Sequence, residues 1–376
     1  MQEVKILQHF YDIEVPKRRL HYLLALEDFF QVNKEQLAAQ FQQDFQIICQ
    51  ELKQQQTQQQ KEPLGHITFS LLRTELLTGR YLSIVEGTSG EWFFDTKPIA
   101  TTYDAGWALQ FLTQFITELS QYSQTFMGII SQADIEAIQL REAIHFYQYV
   151  ISLARYALSN IEGCPAFKEL WCEPLVEIRI GEFMDNSEVV YATDASVKDA
   201  QEMKKWLEQK LEDEYAYEVF RQLDLSEGNY LTIDARYAFF HETNLSHSNL
   251  SESLLIGTSF RDSHLTEVDC SFSIIHEADF TNCQLQGANF QQAQGASGLL
   301  DREQWHMSGY LPVRFTNANL ANANFTLADL RGACFKGANL HNTQFAGANL
   351  EGAIFSKESQ ATVQLDSFQA TRVIWQ

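Results

Sequence analysis

The sequence has few of the features that announce chemistry. Its six cysteines, Cys49, Cys164, Cys172, Cys270, Cys283 and Cys334, are dispersed without a CxxC pair. That argues against a zinc knuckle and against a disulfide framework. No stretch of about 18 apolar residues occurs, so no membrane-spanning helix is expected. The opening MQEVKILQHFYDIEVPK lacks the basic start and apolar run of a signal peptide, and the expected setting is a reducing, cytoplasmic one. GxSxG, Walker, GxGxxG and HExxH patterns are all missing, which leaves no motif-level reason to expect an enzyme. Positive charge is scarce, 27 Lys/Arg against 49 Asp/Glu for a net of −22, and that sign disfavours direct contact with a nucleic-acid backbone. No cofactor and no metal are expected.

What is present is a period of five. In FTNANLANANFTLADLRGACFKGANLHNTQFAGANLEGAIF, residues 315 to 355, every fifth residue is Phe or Leu. The same phase runs back through Phe290, Leu285, Phe280, Ile275, Cys270, Leu265, Phe260, Leu255, Leu250 and Leu245 to Phe240. A small residue stands two places before nearly every one, as at Ala278, Ser263, Ala318 and Ala338. Neither the helical period of 3.6 nor the strand period of 2 gives this pattern. Short strands with both residues facing inward, each followed by a two-residue corner, do give it, and such coils stack at about 4.8 Å.

The pentads ANLAN, ANFTL, ADLRG, ANLHN and ADFTN resemble the pentapeptide-repeat family over residues 240 to 355. That resemblance implies a right-handed quadrilateral β-helix with four pentads per coil. Twenty-residue coils then put Phe240, Phe260, Phe280, Phe315, Phe335 and Phe355 on one wall and Leu245, Leu265, Leu285, Leu320 and Leu340 on the next. Phe290, Phe325 and Phe345 share a third. The agreement across residues 296 to 312 predicts an insertion between two coils that leaves the ladder in step. Residues 356 to 376 are expected to form a capping coil, which would keep the last strand edges from aggregating.

Within the insertion, Asp301 and Gln304 make a capping-box pattern and Gly309 a stop, predicting a short helix over 302 to 308. Leu300, Trp305, His306, Met307, Tyr310 and Arg314 are the candidate partner-binding residues, being near or within a projecting loop and rich in types found at interface hot spots. The resemblance implies a protein partner, DNA gyrase or topoisomerase IV, which related solenoids engage as DNA-like surfaces through projecting loops. A bacterial source goes with that partner. A homodimer through the C-terminal coil, where Val373, Ile374 and Trp375 could supply apolar surface, is a further expectation.

Residues 1 to 235 read as a mixed α+β domain that covers the solenoid's first coil, with residues 236 to 376 as the repeat domain. The charge divides as −17 and −5 at that boundary. Helices are expected over Val15 to Phe30 and again after an Asn33/Gln36 cap, at Trp107 to Leu119, from Ser131 to Asn160, and from Ser196 to Gln222; strands are expected from His66 and again around 175 to 194. Gly87-Thr-Ser-Gly90 reads as a hairpin turn. Glu142 and His145 alone have spacing that suits a site, a carboxylate and an imidazole on one helix face. They are the basis for the alternative that this domain is an enzyme or effector and the solenoid its targeting arm.

Overall fold

The computed structural model describes the chain except Met1, Asn160 and Gln304, with only the backbone described at Gln2, Glu3, Val4, Glu162 and Leu300. The chain forms two compact units, divided between Thr193 and Asp194.

In the first unit, helix α1 (Gln2–His9) runs through a π-turn into α2 (Val15–Gln59). The expected break at Asn33 does not occur. Asn33 donates its amide to the Phe29 carbonyl one turn back at 2.8 Å instead of capping a new helix. The glutamine run continues α2 until Gln60 turns left-handed. Strands β1 (Leu64–Leu71), β2 (Leu82–Thr88), β3 (Ile99–Asp104), β4 (Cys172–Glu182) and β5 (Ser187–Asp194) form one sheet in the order β3-β2-β1-β4-β5. Its first three strands are antiparallel, while β4 runs parallel to β1. Between the strands lie α3 (Arg73–Leu77), α4 (Gly106–Ser123), α5 (Gln132–Leu158) and α6 (Pro165–Lys168). Ser131 and Asp134 make the capping box that opens α5. The apolar face of α2, including Leu26, Phe30, Phe41 and Phe45, is buried, and its Gln55 amide exchanges two hydrogen bonds with Ala100 on edge strand β3. Side-chain coverage of that kind blunts an edge that would otherwise pair with another chain.

The second unit opens with α7 (Ala200–Leu207), capped by Asp199. The helix ends fifteen residues short of the expected Gln222, because the coils begin there. Backbone bridges join residue i to i+20 from Val219↔Phe239 onward, shift to i+35 at Asp279↔Arg314, and return to i+20 at Arg314↔Cys334. The boundary expected at 235 therefore falls inside the solenoid, which contains one more coil than the Phe/Leu pattern shows, centred on Phe220, Leu225, Tyr230 and Ala235. With the boundary moved, the second unit carries 13 Lys/Arg and 24 Asp/Glu, a net of −11 and half the acidity of the chain.

Each corner repeats one geometry. The N–H of the small residue bonds back to the centre three residues earlier, as Ser248 to Leu245 at 3.2 Å and Ala318 to Phe315 at 3.1 Å. The residue between, two after the centre, has positive φ: 60° at His247 and 56° at Asn317. A left-handed third residue closing an i→i+3 bond is the requirement of a type II turn. The small positions have a second role. Thr243, Ser248, Thr258 and Ser273 donate their hydroxyls to carbonyls 23 residues earlier, at 2.7 to 3.0 Å, so these buried polar groups are satisfied and also tie adjacent coils together.

Both solenoid ends are closed within this unit. Lys198 and Lys204, flanking and within α7, donate to the free carbonyls of Val219 and Ser226 at 2.6 Å, and Trp206 packs against Tyr215 and Phe220. At the other end β8 (Cys334–Phe335), β9 (Ile354–Phe355) and β10 (Ile374–Trp375) pair in parallel. There α8 (Ser367–Ala370) inserts buried Gln369, which bonds the Phe345 and Ala348 carbonyls at 2.7 and 2.9 Å.

Candidate partner-binding face of the solenoid

The insertion is a hairpin and not a helix. Gly295 and Ser297 still bond the Asp329 and Arg331 carbonyls of the next coil, so the excursion begins at Gly298 and not at 296. Its neck is closed by Gly298 N–H donating to the Gly309 carbonyl at 2.8 Å. Beyond the neck, β6 (Leu299–Asp301) pairs antiparallel with β7 (His306–Met307). The Asp301 carboxylate accepts from the Glu303 N–H at 2.8 Å, two residues on, as an Asx turn does, and the tight turn is completed by Trp305 at φ 54°. A left-handed residue there is incompatible with the expected helix. The Gln304 half of the expected capping box lies outside the described residues.

Of the six candidate residues, the hairpin brings Trp305, His306 and Met307 together, with His306 exposed and its two neighbours half-buried. The side chain of Leu300 lies outside what is described. Tyr310 lies in the bend just past the Gly309 neck, where its N–H donates to buried Glu277 at 2.6 Å. Arg314 is separate from the others. It lies on the first wall, where it and Arg261 hold buried Asp279 at 2.8 and 3.3 Å. Burial pushes the Asp279 carboxyl up, but the two guanidinium groups and Thr281 outweigh that and hold it below the ordinary value. His276 anchors the near side of the hairpin, its Nδ1 2.8 Å from the Ala296 carbonyl oxygen.

The charge of the solenoid is divided by position. Residues 218 to 277, the first three coils, hold 3 Lys/Arg and 10 Asp/Glu, a net of −7, whereas residues 278 to 355 hold 4 Lys/Arg and 5 Asp/Glu. The composition shows this once the true first coil is included, and a boundary at 235 hides it.

In the first unit Glu142 is buried, and both of its oxygens are taken: Oε2 by Arg19 at 2.9 Å and Oε1 by Arg141 at 2.9 Å. Burial pushes its carboxyl up, and the two arginines more than offset that. His145 is 3.6 Å away and half-exposed, held below its ordinary pKa by burial and Arg19. A carboxylate spent on two arginines is neither a general base nor a metal ligand, so the pair is structural. Among the described residues, no group of His, Cys, Asp and Glu is arranged to hold a metal ion, and no helix is long and apolar enough to cross a membrane.

A family model described as pentapeptide repeats matches residues 234–262, 263–294, 313–345 and 335–356. The C-terminal region is thus a pentapeptide-repeat solenoid, and the N-terminal domain matches no family. Among solved structures the chain is similar to QnrB1, a plasmid-mediated fluoroquinolone resistance protein, at 17% identity over 43% of this chain and 85% of that one, with TM-score 0.29. Rfr23 from the cyanobacterium Cyanothece 51142 is similar at 19% over 43% and 90%, with TM-score 0.17. HetL from Nostoc sp. strain PCC 7120, involved in heterocyst differentiation regulation, is similar at 16% over 43% and 98%, with TM-score 0.14. No curated protein matches the chain.

Proposed function

We propose that this chain is a non-catalytic protein-interaction module whose first three coils present a DNA-like acidic surface to a type II topoisomerase, DNA gyrase or topoisomerase IV. The observation that carries the reading is the charge density. Three coils stacked at about 4.8 Å span about 14 Å, and a net of −7 over residues 218 to 277 compares with about eight phosphate charges in the same length of duplex. Residues 278 to 355 carry a net of only −1, so the resemblance in charge is local, with the hairpin bordering it as a second contact.

The test is binding of the full chain to purified gyrase across a salt series, alongside a variant carrying Glu242→Gln, Asp262→Asn and Glu267→Gln and another lacking residues 298 to 312. Binding that competes with duplex DNA, weakens with salt and falls in the charge variant supports the reading. Binding indifferent to salt and to those three substitutions refutes it. A second reading, homodimerisation through the C-terminal end, is favoured by the position of β10 at the edge of its sheet and by Ile374 and Phe368, 44% and 61% exposed. Sedimentation showing monomers at micromolar concentration removes it.

A further inference from the structure

Walls of the solenoid present their i−1 and i+1 side chains outward. On the fourth wall these positions are ion pairs in the first coil, Asp234 with Arg236, and in the fifth, Asp329 with Arg331. In the second and third coils they become Leu254, Ile256 and Ile274, with His276 the fourth, each partly exposed; Leu254 and Ile274 are bridged as direct neighbours, and His276 faces the Ala296 carbonyl. Phe272 stands at the adjoining corner, 49% exposed with φ 58°. On the opposite corner Tyr237 lies over Gly257, where a Cβ would come within 2.3 Å of its ring. Five apolar side chains therefore sit side by side on a surface whose outward positions are otherwise mostly Asn, Gln, Ser, Thr and charged residues.

The conformation of Phe272 makes an accident of composition a poor explanation. An aromatic residue in the left-handed region is strained, the side chain gains little burial in return, and after Phe272 the same corner column holds Gln292, Leu327 and Gly347. Strain retained at an exposed position points to use of the side chain. The rim specifies the partner's charge: Glu252 precedes Phe272 in the same corner column and Asp269 lies on the adjoining wall, while Arg236, the nearest wall cation, is held by Asp234 and Asp213. The dimensions specify its form. Side chains about 4.8 Å apart between coils and about 7 Å apart along a strand suit the i, i+3, i+4 and i+7 residues of one helix face.

We infer that this patch is the docking site for a basic amphipathic helix of the partner. The inference rests on reading the unit as an interaction module, and it names the partner's contacting element. The test uses the full chain and a fluorescent 18-residue amphipathic peptide of Leu and Lys, with a same-composition peptide scrambled to destroy the helical period. The amphipathic peptide is expected to bind about tenfold or more tighter than the scrambled one. Ile274→Asn and Phe272→Gly, neither of which alters net charge, are each expected to weaken it about five- to thirtyfold, in the range of an interface anchor. Circular dichroism verifies that both variants remain folded. Equal binding of both peptides, or unchanged affinity in both variants, overturns the inference. Binding that survives both variants but is lost on removal of residues 298 to 312 overturns it too, while sustaining the hairpin's role. A parent chain that binds the amphipathic peptide through this patch but does not bind gyrase separates failure of the topoisomerase reading from failure of this one.

Discussion

The rings of Phe280 and Phe315 lie 5.0 Å apart and within 5° of parallel, although thirty-five residues separate them. They belong to one column that runs Phe220, Phe240, Phe260, Phe280, Phe315, Phe335 and Phe355, with successive centroids 4.7 to 5.2 Å apart. The hairpin leaves this column uninterrupted because its neck closes at Gly298 and Gly309, between one corner and the next small residue.

The insertion should therefore be removable at one register. Joining Ser297 to Val313 restores the order of centre, corner and small residue, and a chain lacking 298 to 312 is expected to melt within a few degrees of the parent. Removal of 296 to 312 takes two further residues and breaks the register, and that chain is expected to lose the cooperative transition of the coils that follow. Equal melting of the two deletions would show that register does not matter.

Corner residues supply a stabilising substitution. Thr232 is exposed at φ 64°, a conformation that a β-branched residue adopts only under strain. Thr232→Gly is expected to raise stability by about 1 kcal/mol despite the greater freedom of glycine in the unfolded chain. Urea denaturation reads this directly, and a lower midpoint would contradict the corner argument.

His241 predicts a pH dependence. Burial, with Arg261 beside it, lowers its pKa to about 4, and its Nε2 lies 2.7 Å from the Ser259 hydroxyl. Because the unfolded chain binds the proton more readily, this group's contribution is complete above about pH 6.5 and is lost as pH falls from there towards 4. His241→Gln is expected to flatten the slope of melting temperature against pH in that window. An unaltered slope would assign it to other groups.

The C-terminal plug predicts a link between stability and solubility. Gln369→Leu removes the donor to the Phe345 and Ala348 carbonyls and leaves both without it, at a cost of about 1 to 3 kcal/mol. Light scattering on warming is expected to rise earlier than in the parent, since loosening this cap frees strand edges. Truncation at 356 should aggregate outright, and a soluble, unchanged truncation would show that residues 357 to 376 do not cap.

The repeat, its four walls and the persistence of phase through the insertion were legible in the residues themselves, because a five-residue turn of chain admits one large side chain inward and allows little beside it. The site was legible in smaller measure. Trp305, His306 and Met307 were singled out by residue type and lie on one hairpin, whereas Arg314 lies apart on the first wall; Leu254, Ile256 and Ile274 drew no notice, since an apolar residue at an outward position appears only once coils are stacked on one another.

Tertiary structure alone decided where the solenoid starts. Hydroxyls at the small positions reach back toward the preceding coil, so a side chain there must ordinarily be short. The first coil has no predecessor, and Leu223 and Ile233 occupy those places, both buried in the same core as α7. The local pattern fails where a neighbour is missing, and only the folded chain shows which neighbour that is.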